Sequence, residues 1–264
     1  MRDAGSMLVL VPGRLPGLPR RDDLVIRDGV DKLRAVYGGS PEAVQGWIAF
    51  ESYGATRARV DPTWPNRLAA GDVGAPSLVG EAFAPRQVDA MLAPDARDSA
   101  DAALAAVPTD WSLTDPLPPE AWRRIERLLR VLAVPGLDLR RTTRLGCLKR
   151  PRLLPLVPSD GRAPRSGSVA EVALESTRRL AEVIVRNQTS LSEMAAGLNA
   201  WLEGRTPHYA RIRVGPARVL SELIAFELGG YRRFAGWEAR GGEVRRRGEG
   251  AAAGGRRALS RGER

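Results

Sequence analysis

The sequence predicts an all-α fold: a single multi-helix domain over residues 23–237, containing a helix-hairpin-helix-like element and flanked by disordered tails. Three observations predict it. Apolar residues recur at spacings of three and four in several segments, those segments carry recognisable caps and stops, and strands do not alternate with helices. No repeat of fixed length occurs either, which removes solenoids.

Taken in order, residues 1–22 combine Gly13, Pro16, Gly17 and Pro19 with Arg20 and Arg21 and read as a loose tail. The stretch from Trp47 to Leu92 shows no sustained period. Short helices are expected near Pro85–Met91 and Ser99–Val107. Pro118 and Pro119 then open a helix from Glu120 to Leu132, with Trp122, Ile125, Leu129 and Leu132 along one face. Pro135 and Gly136 stop it, and Asp138 caps a second helix that runs to about Lys149 before Pro151. Ser168 and Glu171 form an S-x-x-E capping box for a helix reaching Asn187, and Ser190 with Glu193 repeats the pattern for a helix ending near Gly204. A last helix spans Pro216 to Leu228 and is stopped by Gly229 and Gly230. From Glu238 to Arg264 the chain holds eight arginines and four glutamates with almost nothing apolar, and it reads as a disordered tail.

Composition narrows the setting. The 264 residues, 43% of them hydrophobic, suffice for a sizeable core without staples. Cys147 is the single cysteine, so no internal disulfide can form, and a reducing, cytoplasmic location is expected. The apolar run Met7–Val11 is shorter than a signal core, and no stretch of about 20 residues lacks charge, so no membrane partner is expected. A net charge of +10 suits a polyanion. Codon usage in a GC-rich genome would yield a similar excess, because only Lys32 and Lys149 among the basic residues are lysines.

Familiar catalytic and metal patterns are missing. One histidine, His208, and one cysteine cannot build the usual zinc sites, and no Walker A, H-E-x-x-H or G-x-S-x-G string occurs, so no cofactor and no metal are expected. The informative stretch is Val134–Pro155, in which a short turn at Gly136 joins two helices and a basic knot of Lys149, Arg150 and Arg152 surrounds Pro151. Such a hairpin can present amides and cations to a nucleic-acid phosphate without reading sequence. An ordinary antiparallel helix pair with a solvated basic end has the same pattern.

The string Leu148-Lys149-Arg150-Pro151-Arg152-Leu153-Leu154-Pro155 resembles the K-R-P-x-L-x-P signature of the actinobacterial domain-of-unknown-function family 6308. Tyr53–Arg57, Leu68–Asp72, Val107–Asp110 and Gly215–Phe226, where Arg218 opens a helix, resemble further segments, so the likeness covers about residues 45–230. The family's layout is in turn similar to helix-hairpin-helix DNA glycosylases, in which a carboxylate follows the hairpin and stabilises the sugar cation. The hairpin and its basic knot, taken with this layout, lead us to expect non-specific DNA binding by Gly136, Lys149, Arg150, Arg152 and Arg218. It also makes Asp160 the candidate catalytic carboxylate, displaced from the position usual in the family. Ala58 stands where the family has Phe, and Leu137-Asp138 replaces a Val-Thr pair. The alternative is a non-enzymatic module that binds a protein partner through Trp201, Tyr231 and Trp237.

Overall fold

Proline and polar caps start most helices of the protein, as their local chemistry requires. A computed structural model describes residues 8–11, 23–38, 41–157, 167–204 and 213–227. Among them two short strands, β1 (Val9–Val11) and β2 (Leu24–Ile26), precede ten helices: α1 (Gly29–Gly38), α2 (Pro41–Val60), α3 (Ala70–Gly74), α4 (Pro85–Leu92), α5 (Pro94–Ala105), α6 (Pro119–Leu132), α7 (Leu139–Lys149), α8 (Val169–Arg186), α9 (Gln188–Glu203) and α10 (Pro216–Glu227). The fold is all-α. No helix of the described residues is long and apolar enough to cross a membrane.

The expected caps are in place at two helices. The Asp138 carboxylate accepts the Arg141 amide at 2.8 Å at the start of α7. At α8, Ser168 Oγ accepts the Glu171 amide at 3.2 Å while Glu171 accepts the Ser168 amide at 2.7 Å. Two boundaries differ from the sequence reading. Helix α5 starts at Pro94, where a proline at the first helical position needs no amide partner, and not at Ser99. Helix α9 starts at Gln188, directly after α8, so Ser190 and Glu193 lie inside it and form no cap.

Two elements were hidden in the sequence. The tail expected over residues 1–22 contains β1, which pairs antiparallel with β2 in the register Leu10↔Val25. Three residues are too few for periodicity to show. Val9, Val11, Leu24 and Ile26 point into the core, and the Asn187 side-chain amide bonds both the Leu10 amide and the Leu10 carbonyl at 3.3 Å. Helix α2 escaped notice because it makes close contacts through glycine. A Cβ at Gly46 would lie 2.2 Å from the Leu78 carbonyl oxygen, and one at Gly54 would lie 3.3 Å from Leu148.

Helix α7 forms the axis of the molecule, packed by α2, α3, α6 and α8. Every residue from Thr142 to Lys149 is buried. Helix α6 supplies Ile125, Leu128, Leu129 and Leu132 to the main core, while α1, α9 and α10 pack together at the other end. A second, smaller core of Phe50, Trp64, Ala75, Val79, Cys147, Leu148 and Leu156 lies between α2 and α7.

Candidate functional site

A helix buried on all sides should be apolar, yet α7 reads Leu-Arg-Arg-Thr-Thr-Arg-Leu-Gly-Cys-Leu-Lys. Its charges therefore need partners inside the protein. They find them in two centres on different faces of the helix.

At its C-terminal end, Lys149 and Asp72 form an ion pair of 2.7 Å with both side chains 0% exposed. The Lys149 ammonium also donates to the Trp64 carbonyl at 3.0 Å and sits 3.7 Å from the centre of the Trp64 ring. Asp72 accepts in addition from Trp64 Nε1 (2.7 Å), the Tyr53 hydroxyl (3.1 Å) and the Ala69 amide (2.7 Å). Burial outweighs the pairing and pulls the Lys149 ammonium down to about 8. The Tyr53 phenol is pushed up to about 12 by burial and by Asp72.

Arg150, the next residue, is 1% exposed and donates from all three guanidinium nitrogens. Its Nε reaches the Val107 carbonyl at 2.8 Å, Nη1 the Pro65 and Lys149 carbonyls at 2.7 and 2.8 Å, and Nη2 the Asn66 side chain and Leu104 carbonyl at 2.7 and 2.5 Å. A guanidinium has five N–H groups, and five acceptors meet them here. Burial lowers its ionisation to about 10.

The second centre joins α1, α2, α7 and α10. Arg218 lies 2.7 Å from Glu51 and 2.9 Å from Glu222, and 3.8 Å from Cys147 Sγ. Arg144 is buried in the same layer, where burial and the charges of Arg218 and Arg140 lower it to about 10. Arg140 pairs with Glu81 at 2.7 Å. Burial shifts the Glu222 carboxyl above the usual carboxylate range against the pull of Arg218, lifts the Cys147 thiol to about 11, and holds Tyr37 neutral beside the same charges. For Arg218 burial opposes the charge, but Glu51 and Glu222 outweigh it, and the guanidinium stays protonated.

The hairpin between α6 and α7 turns at Gly136, which has φ +85° and is exposed, a backbone shape that favours glycine. Gln87 donates to its carbonyl at 2.5 Å. At the α7 N-terminus the place a phosphate would take is filled by the Asp138 carboxylate, which also pairs with the Arg141 guanidinium at 2.5 Å.

A model of a family of unknown function, DUF6308, matches residues 29–201. The chain belongs to this family. No curated protein and no solved structure matches it. In this DUF6308 member the signature residues Lys149, Arg150, Leu153, Leu154 and Pro155 are all buried, while Pro151 and Arg152 are exposed. Arg218 lies beyond the matched span.

The structure thus does not gather the five predicted binding residues on one basic face. Lys149 and Arg150 share one interior centre, Arg218 occupies the other, and Gly136 and Arg152 lie at the solvent. Asp160, His208, Tyr231 and Trp237 fall outside the described residues, and Trp201 is half-buried against the core. Glu51, Asp72, Arg144 and Glu222 were missed in the sequence. A signal existed for Glu222: with Arg218 it forms an i,i+4 pair in the otherwise apolar run Val219-Leu220-Ser221-Glu222-Leu223-Ile224. Among the described residues no group of three His, Cys, Asp or Glu could hold a metal.

Proposed function

We propose that the protein binds DNA through phosphate contacts made by its arginine-rich segments, residues 228–264 foremost, without base readout. One observation carries this reading. Of the 41 Lys and Arg and 31 Asp and Glu of the chain, the described residues hold 23 and 24, which leaves 18 basic against 7 acidic side chains elsewhere. Residues 228–264 alone carry ten arginines and four glutamates. The described residues are near-neutral and give a polyanion little reason to approach, whereas runs such as Arg245-Arg246-Arg247 attract one by counterion release. Lys149, Arg150 and Arg218 have no part in this reading, because groups inside the protein already engage them.

The arginine face of α6 supports the same division. Arg123 and Arg124 share Glu120 and Arg130 meets Glu126 along that helix, so three of its four arginines have an acidic partner.

Fluorescence anisotropy of a labelled duplex tests the proposal. Binding at about 50 mM salt that weakens at least tenfold by about 200 mM is expected. Replacing Arg240, Arg245, Arg246 and Arg247 with Gln should flatten the salt dependence by up to about three to four units of log–log slope. A full-length chain that ignores duplex and single-stranded DNA at about 50 mM salt would refute it.

A further inference from the structure

The two margins of the β1–β2 hairpin differ. In an antiparallel pair, residues directly opposite each other either exchange both backbone bonds or turn both groups outward. The Leu10 amide and carbonyl are held by the Asn187 side chain, on the side away from β2. Val25 is the register partner of Leu10, so it turns its own amide and carbonyl away from β1. No group of the described residues bonds them, and β1 is the only described strand beside β2. One margin of the hairpin is closed and the other is open.

An open strand margin takes another strand, and the sequence along this one fits a second copy of itself. Leu24 and Ile26 enter the core, while Asp23, Val25 and Arg27 alternate with them and are exposed on the outer face. The stretch Asp23-Leu24-Val25-Ile26-Arg27 is thus centred on Val25, with an acid two residues before it and a base two residues after. Asp28, at φ +54°, then turns the chain out of the strand toward α1. Two copies laid antiparallel about a twofold axis at Val25 exchange both backbone bonds between their Val25 residues. Asp23 of each copy then faces Arg27 of the other on the same outer face. A parallel pairing sets like charges together, and a slip of two residues removes both matches.

We infer that the protein forms a twofold dimer in which the β2 strands pair antiparallel, giving a sheet of order β1-β2-β2-β1 with Val25 on the axis. The contact is short, so the dimer is weak and depends on concentration. The inference is independent of DNA binding, which the preceding section assigns to other segments.

Sedimentation velocity of the nuclease-treated full chain at about 150 mM salt tests it. A monomer–dimer equilibrium is expected, with the dimer populated at about 100 μM chain. Arg27→Asp and Asp23→Arg each bring like charges together at both ends of the pairing and should weaken association about tenfold or more. The double variant Asp23→Arg, Arg27→Asp restores opposite charges across the axis and should recover the dimer. Val25→Pro removes the amide on the axis at a position where an edge strand tolerates proline, and should leave a monomer with the helical circular dichroism of the natural chain. If Val25→Pro fails to fold, the charge-swap series decides alone. Monomer at every concentration overturns the inference, whether or not another chain pairs at this margin. So does a dimer that the single reversals leave intact or that the double variant does not recover.

Discussion

The two charge centres on α7 differ in how far they are closed to solvent. Around Lys149, Asp72 and Arg150 every guanidinium hydrogen has an acceptor and the ion pair is closed to water. Around Arg218 three guanidiniums crowd one layer, and one carboxylate, that of Glu51, touches solvent. A buried charge with every partner in place holds segments together. One whose counter-charge reaches solvent can respond to the medium.

The largest effect that separates them is at Arg150. Arg150→Ala strands carbonyls of the 64–66 turn and of the α5 C-terminus, and should cost about 4 kcal/mol or more, read from urea unfolding. Next comes Asp72→Asn, which leaves Lys149 buried without its counter-charge and should cost about 3 kcal/mol. The double variant Asp72→Asn, Lys149→Met should recover part of that loss, and the coupling measures the pair directly.

A pH comparison sharpens the contrast. Lys149 releases its proton near 8 in the folded chain against 10.5 in the unfolded one. Between those values the unfolded state binds more protons, so stability relative to Lys149→Met should rise with pH across that window. Unfolding midpoints at pH 7 and pH 9.5 check the sign. Smaller is Glu51→Gln, which removes one of two carboxylates from the buried Arg218 guanidinium and should cost about 2 kcal/mol, because Glu222 remains and Glu51 touches solvent. A loss as large as that of Asp72→Asn would erase the distinction between the two centres.

The chemistry of helix ends was legible in the sequence: Pro119, Asp138, Ser168 and Pro216 each begin a helix where their side chains predict one. Helix α2 was not, since glycines make its closest contacts and leave no apolar stripe to read. The basic knot misled for a related reason. A string such as Lys149-Arg150-Pro151-Arg152 reads as solvated because charges are seldom buried, and its partners Asp72, Trp64 and Leu104 lie far away in sequence. The packing of Gly146 on Leu154 and of Leu148 on Gly54 helps place the end of α7 in the interior.

Asn187 carries a consequence for how the molecule meets other copies of itself. Its one amide group bridges the end of α8 and the outer margin of β1, and the Val183 carbonyl accepts from the same nitrogen at 2.8 Å. Leu8, Leu10 and Val25 already show apolar surface on that hairpin. With the Asn187 amide gone, the Leu10 amide and carbonyl would lie open beside them, offering an unsatisfied strand margin to a neighbouring chain. Among the described residues, the Asn187 side chain is thus what closes this strand margin.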